Sequence, residues 1–213
     1  FLYAVGDGNH SLATAKAIWE EYKEAHRGEG GLMDHPARYA LVEVENIYDA
    51  GIEFAPIHRL VFGAPLDEVS AALSGLPGCA ARGVSGAEEL DALVSDPSAE
   101  KTRYGLIARE GCVLIETDAR GISTEPLQPI LDRFVAAGAG GRSIDYLHGS
   151  DETARVSLEE GAGAPRVGIL LPPVGKSDLF ATVARSGPLP RKSFSMGEAS
   201  EKRFYLECRA LFR

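Results

Sequence analysis

One stretch decides the fold: FLYAVGDGNHSLATA, residues 1–15. Its first five residues form an apolar run of strand length, which stops at a Gly-Asp-Gly-Asn cluster typical of tight turns. Leu12, Ala15 and Trp19 then follow at helical spacing. We therefore predict a buried strand, a polar loop and a helix in direct succession, with Asp7 or Asn9 as the helix cap.

The rest of the chain continues with alternating elements. Further strands are predicted at 38–46, 56–62, 103–108, 112–116, 143–147, 167–171 and 204–213, and further helices at 65–73, after Ser85, at 127–136, from Asp151 and at 176–185. We predict an α/β fold, mixed and α+β-like, with a mixed sheet in its main domain. Residues 1–63 and 121–213 form that main domain, and residues 64–120 form a small inserted α+β subdomain. Because the chain opens inside a strand, we expect its N-terminal part to be missing.

Composition narrows the class of protein. The 213 residues are 45% hydrophobic and 25% charged, as in folded globular proteins. The formal charge of −9 argues against an extended nucleic-acid surface, and no apolar run approaches the roughly 20 residues that span a bilayer. Three distant cysteines, Cys79, Cys112 and Cys208, make a poor disulfide framework, so we expect a reducing cytoplasm. The oligomeric state stays open.

The polar loop at 7–10 carries the best candidate chemistry. A turn between a strand and a helix gathers backbone N–H groups and the positive end of the helix dipole, which together favour an anion. Gly8 would allow close approach, Asp7 could hold a metal or accept a proton, and Asn9 and His10 could donate to phosphate. The alternative is that Asp7 and Asn9 only cap the helix. The loop is not a P-loop, because it lacks the Lys-Ser/Thr pair.

Three segments carry a resemblance to a known family. Val5-Gly6-Asp7-Gly8-Asn9-His10-Ser11-Leu12-Ala13-Thr14-Ala15 resembles the Ala-Asp-Gly-His-His-Arg-Tyr-Glu-Thr-Ala motif of the bacterial and archaeal family called domain of unknown function 1015. Pro56-Ile57-His58-Arg59 is similar to that family's Pro-Thr-His-Arg. Leu189-Pro190-Arg191-Lys192-Ser193-Phe194 is similar to its Met-Pro-x-Lys-Ser-Thr. The segments occur in the family's order, but the family has no characterised activity.

The loop also resembles, more distantly, the nucleotide-phosphate loop of the superfamily of ParB, sulfiredoxin and the ADP-dependent free-serine kinase. This resemblance implies that residues 7–10 surround phosphate. The chain departs from the pattern at two positions, because Asn9 replaces a His and Ser11 replaces an Arg. The loop therefore lacks its fixed cation, and Arg59 or Lys192 would have to replace it.

The other two segments supply the remaining candidate ligand-binding residues. His58 and Arg59 are adjacent in a predicted strand, so their side chains should point to opposite faces. Arg59 offers a planar fork for phosphate and His58 a titratable nitrogen. Lys192 and Ser193 could clamp an anion from a loop. The alternative for His58 and Arg59 is that one is a surface residue and the other a buried hydrogen-bonding residue. The alternative for the loop is that its basic side chains are only solvated.

These observations lead to a main functional hypothesis. The resemblance implies a nucleotide- or phosphate-binding enzyme, a small-molecule kinase using ATP or ADP with Mg²⁺. Asp7 and His10 would be catalytic, and Asp7 would also hold the metal. Ligand binding would fall to Gly8, Asn9, Ser11, His58, Arg59, Lys192 and Ser193. One alternative is a non-catalytic regulatory or scaffold protein, as the missing loop Arg permits, and a more distant one is a hydrolase or lyase with His10 as base.

Overall fold

The structure is a computed structural model that describes residues 3–6, 8–159 and 163–196 of the chain. The chain divides into two compact units. The first comprises residues 1–47 and 200–213, and the second comprises residues 48–199. Each unit is described by itself below.

The first unit is built on the predicted amphipathic helix. This helix, α1, covers Asn9–Ala25, and two short 3₁₀ helices follow at Leu32–Asp34 and Pro36–Arg38. Trp19 is the buried residue of α1, as its place on the apolar stripe predicts. Tyr22 stacks between two histidine rings, with centroid distances of 4.0 Å to His26 and 4.3 Å to His35. Aromatic stacking therefore joins the end of α1 to the segment that follows.

Two predicted strands of the first unit are wrong where the structure describes them. Residues 3–5 and 39–46 form no strand, and their apolar side chains are exposed, with Leu41 82% and Val44 68% accessible. A strand needs a partner for its backbone N–H and C=O groups, and no described segment pairs with either stretch. An apolar, β-branched composition is therefore not sufficient for a segment to form a strand. The predicted strand at 204–213 lies outside the described residues.

The second unit contains the remaining elements. Its described strands are β1 Phe54–Phe62, β2 Ala80–Val84, β3 Thr102–Ala108, β4 Gly111–Thr117, β5 Ser143–His148, β6 Arg166–Leu170 and β7 Phe194–Met196. Its described helices are α2 Leu66–Leu73, α3 Ala87–Val94, α4 Thr124–Ala137, α5 Ser150–Leu158 and α6 Lys176–Ser186. The helices and most of the strands lie where hydrophobic periodicity predicts them.

One sheet organises this unit. Its strand order is β2-β4-β3-β6-β1-β5, and β7 pairs with the beginning of β1, where Pro56 lies opposite Phe194. All pairs among the described strands are antiparallel. The later part of β1 lies between β5 and β6, so Arg59 is opposite Tyr146 on one side and Ile169 on the other. The strand β1 is therefore paired along its whole length.

Helices cover both faces of the sheet. On one face α2 and α4 pack on a core that includes Tyr104, Leu106 and Leu127. On the other face α3 and α5 cover a smaller core that includes Ile107 and Leu90. Consecutive residues of β3 thus point to opposite cores, as strand geometry requires. Burial on both faces explains why β3 and β6 have consecutive apolar residues instead of a polar-apolar alternation.

The predicted mixed α/β fold class is confirmed, although the described sheet is antiparallel and not mixed. Strands β2, β3 and β4 come from the predicted insertion, residues 64–120, yet they belong to the same sheet as β1, β5 and β6. Two strands were not predicted. The edge strand β2 is mostly exposed and rich in small residues, and β7 has three residues, so neither has the alternation that marks a half-buried strand.

Gly105 offers a test of the packing between β3 and α3. A Cβ atom at this position would lie 2.8 Å from the Cγ of Leu90, which is fully buried and cannot move aside. We expect Gly105→Ala to lower the free energy of unfolding by about 1–3 kcal/mol, measured by urea denaturation. Gly83→Ala in β2 is the matched control, because no atom lies within 4 Å of its added methyl group. Equal effects of the two substitutions would contradict the described packing.

Candidate functional site

The loop before α1 leads into the helix through a left-handed glycine. Gly8 is the N-cap residue, has a left-handed backbone with φ 81°, and contributes no side-chain cap. Asn9 is the first helical residue and not the cap, so that part of the prediction is wrong. No acidic residue lies in the first turn. Because the first N–H groups of a helix lack intrahelical partners, this end of α1 keeps its positive character.

The candidate side chains of this loop are accessible. Asn9, His10 and Ser11 are exposed, and Gly8 is half-buried. Asp7, the predicted catalytic and metal-binding residue, lies outside the described residues. The described part of the loop can therefore be reached by a ligand, as the phosphate hypothesis requires.

Both residues of the predicted His-Arg pair in β1 are buried, so neither is the surface residue of the simpler interpretation. His58 is 4% exposed, and its Nδ1 accepts a hydrogen bond from the Leu171 N–H at 3.1 Å. Burial, together with the nearby charges of Arg59 and His148, lowers the pKa of His58 to about 4. His58 is therefore neutral near pH 7 and joins β1 to the end of β6.

Arg59 is a fully buried cation in the middle of the sheet. Its Nε donates to Gln128 Oε1 at 3.0 Å, and its Nη1 donates to the Ile57 carbonyl. Its Cζ lies 4.8 Å from the centroid of the Tyr146 ring, within cation–π range. Burial lowers the pKa of Arg59 to about 10, while Tyr146 and Asp132 act in the opposite direction. The guanidinium therefore remains charged near pH 7.

One nitrogen of this guanidinium is unsatisfied. Arg59 Nη2 is buried and makes no hydrogen bond within the part of the chain that the structure describes. An unpaired buried donor on a charged group costs free energy, so such atoms call for a partner. The donor set of Arg59 thus includes one N–H without an acceptor among the described residues.

The third motif segment, residues 189–194, lies beside the second, residues 56–59. Pairing of β7 with β1 places Phe194 opposite Pro56, and the Thr124 hydroxyl donates to Ser193 Oγ at 2.8 Å. Thr124 is one helical turn before Gln128, the residue that holds Arg59. The start of α4 therefore anchors both the 192–193 loop and the buried arginine.

The two candidate residues of this loop differ in their surroundings. Ser193 is 5% exposed and donates its only hydroxyl proton to the Pro190 carbonyl at 2.7 Å, which leaves no proton for a ligand. Lys192 is exposed and has a left-handed backbone with φ 59°, which is costly for a residue other than glycine. Strain of this kind often marks functional positions.

The second and third segments thus meet within the second unit, whereas Gly8, Asn9, His10 and Ser11 belong to the first unit. The sequence analysis missed the residues of α4 that hold Arg59 and Ser193. Their signal is a polar stripe at every fourth position of α4: Thr124, Gln128 and Asp132. Gln128 Nε2 donates to Asp132 Oδ1 at 2.8 Å, which fixes the amide so that its oxygen accepts from Arg59.

Other features limit the kinds of site. The described residues contain no group of three or more His, Cys, Asp or Glu side chains that could hold a metal ion. Within the same residues, no helix has the length and apolar character needed to cross a membrane. Cys79 and Cys112 are free thiols, and Cys208 lies outside the described part of the chain.

The pKa of His58 leads to a prediction about pH. Because its folded pKa of about 4 lies below the ordinary 6.5, the unfolded chain binds more protons between these values, and stability falls as the pH drops from 6.5 towards 4. The difference corresponds to roughly 3 kcal/mol. His58→Asn keeps an acceptor but cannot titrate, so the free energy of unfolding should fall by about that much less between pH 7 and pH 4. Parallel pH profiles for the two proteins would contradict a neutral buried His58.

Comparison with known proteins adds the following. A mutant free serine kinase in complex with AMP shares 16% identity with this chain over 87% of it and 80% of the kinase, with a TM-score of 0.50. A second mutant kinase structure, in complex with ADP, gives 14% identity over the same shares and a TM-score of 0.50. A conserved hypothetical protein from Pyrococcus furiosus gives 16% identity, 87% and 84% coverage, and a TM-score of 0.51. These likenesses show a shared fold.

No curated protein matches this chain. The family model described as "Protein of unknown function (DUF1015)" matches residues 1–134, more than half of the sequence and two of the three motif segments. The expected family is thereby confirmed: the chain belongs to the DUF1015 family of proteins of unknown function.

Proposed function

We propose that this protein is a nucleotide-dependent phosphotransferase that acts on a small molecule, with ATP or ADP as the phosphoryl donor. The observation that carries the proposal is the start of α1. There the N-cap residue Gly8 supplies no side-chain cap, the first turn has no acidic residue, and Asn9 and His10 are exposed. A helix start with these properties favours phosphate. The fold is also that of serine kinases crystallised with AMP and ADP.

Each candidate residue has a role in this proposal. Asn9 and His10 bind phosphate, Gly8 allows its close approach, and Ser11 adds a hydroxyl donor. Asp7 activates the acceptor and is also the residue proposed to hold Mg²⁺. When bound, Mg²⁺ would neutralise phosphate charge, and it usually takes only one or two protein carboxylates together with the phosphates, so a preformed cluster of ligands is not required.

The second unit contains two candidate cations. Arg59 stays charged near pH 7 and its Nη2 has no acceptor among the described residues, and Lys192 is exposed, so both are proposed as phosphate-binding cations. His58 and Ser193 already use their polar atoms inside the unit. We therefore assign these two residues to holding β1 and the loop in place. Shared ancestry with ParB and sulfiredoxin is part of the same proposal.

Nucleotide binding is tested by thermal denaturation of the full chain with ATP, ADP, CTP or inorganic phosphate, each with and without Mg²⁺. A ligand present at 100 times its Kd should stabilise the protein by about 2.7 kcal/mol. His10→Ala should abolish the saturable shift. His148→Ala, at the exposed end of β5, is the control and should keep it. A flat response to every nucleotide would reject the proposal and favour the regulatory or scaffold alternative. That alternative fits the loop sequence, in which Asn9 and Ser11 replace the His and Arg of the motif.

Lys192→Gly tests the role of the strained lysine. Removing a left-handed lysine relieves backbone strain, so stability should stay unchanged or rise by up to about 1 kcal/mol. The nucleotide-induced shift in Tm should nevertheless shrink, because a cation near phosphate is lost. Ala139→Gly is the matched control. Among the described residues other than glycine, Ala139 is the second one with a left-handed backbone; it lies in the turn after α4, and its substitution should leave the nucleotide response intact. A full nucleotide response in Lys192→Gly would remove Lys192 from the proposed site.

A further inference from the structure

A cavity lies in the first unit, on the side of α1. It has a volume of about 150 Å³ and is lined by Lys16 and Trp19 of α1, by Arg38, and by four apolar residues. The polar groups of these three side chains are all N–H donors. No Asp or Glu lines the cavity. A cavity with donors and without acceptors matches a ligand that only accepts hydrogen bonds.

Trp19 is the most telling of these donors. Its side chain is 8% exposed, yet its indole N–H makes no hydrogen bond with the described residues. An indole N–H without an acceptor in the described chain can donate to a ligand group in the cavity that Trp19 lines.

The two cations are also available to a ligand. Arg38 is held in place, because its Nη1 donates to the Met33 carbonyl at 2.8 Å and its Cζ lies 5.4 Å from the centroid of the Tyr39 ring. Neither Arg38 nor Lys16 forms an ion pair with the described residues. Nearby carboxylates of α1 are already paired, Glu20 with Lys23 and Glu24 with Arg27.

Charge and size define the ligand. The whole chain carries a formal charge of −9, so two cations without an ion-pair partner at one cavity form a local exception. Water occupies about 30 Å³ per molecule in the liquid, so the cavity has room for one small group and not for a whole nucleotide. Phosphate and carboxylate groups are the acceptor-only anions of this size that arginine and lysine recognise.

We propose that this cavity binds the phosphate or carboxylate group of a small ligand through Lys16, Trp19 and Arg38. The site is separate from the start of α1, because Lys16 is seven residues beyond Asn9, about 10 Å along the helix axis. The proposal does not depend on phosphotransfer. It gives the first unit an anion site of its own.

The chain provides its own reporter for this site, because Trp19 is its only tryptophan. The full chain is titrated with inorganic phosphate in one arm and succinate in another, at constant ionic strength, and the tryptophan fluorescence is followed. We expect a saturable change in at least one arm. Lys16→Gln and Arg38→Gln should each weaken the apparent affinity by about tenfold or more, because each removes a charged donor. The arm that responds identifies the group as phosphate or carboxylate.

Two control variants make the result decisive. Arg27→Gln removes an exposed cation just after the end of α1, outside the cavity, and should leave the titration unchanged. His10→Ala should also keep the fluorescence response even where it abolishes nucleotide binding, so failure of this inference and failure of the proposed function are distinguishable. No saturable change in either arm, the same change with chloride, or equal weakening by Arg27→Gln would overturn the proposal.

Discussion

The burial of the Arg59 guanidinium at the centre of the sheet is the constraint on which the second unit depends. Taking a cation out of water is costly unless hydrogen bonds and nearby charge compensate for it. Here the compensation comes from three different elements: Ile57 of β1 itself, Gln128 of α4 and Tyr146 of β5. Any arrangement of strands that separated these elements would leave a buried charge without partners. The arginine thus penalises alternative packings of this sheet.

The same arginine connects the fold to the candidate site. Gln128 can accept from Arg59 because its own amide donates to Asp132, so one polar stripe on α4 sets the orientation of the guanidinium. Thr124, on that stripe, holds Ser193 and with it the loop of the third motif. The features that keep the sheet in register therefore also fix the position of two motif segments. Structural roles and proposed ligand-binding roles overlap in these residues, and their substitution should be interpreted with both in mind.

Much of the second unit could be predicted from the sequence, because hydrophobic periodicity reports burial and most of its elements are buried on one or two faces. The first unit shows the limit of that approach. Residues 39–46 have strand-like composition, yet Leu41 and Val44 are exposed and unpaired with the described chain. Composition measures the tendency of a segment to pair, whereas pairing also needs a partner. For the candidate site, motif order located Arg59 and Lys192, but not the burial of Arg59, whose partner Gln128 lies 69 residues away.

The position of β1 in the chain affects how the protein is made. This strand ends at Phe62, whereas its partners β5, β6 and β7 begin at Ser143, Arg166 and Phe194. A ribosome adding about 5–20 residues per second needs on the order of 4–16 s to reach the first of them. During that interval an apolar strand with an embedded cation has no hydrogen-bonding neighbour, while β3 and β4 can already form a hairpin. The Arg59 charge opposes burial of this segment until its partners exist, because taking a lone cation out of water is costly.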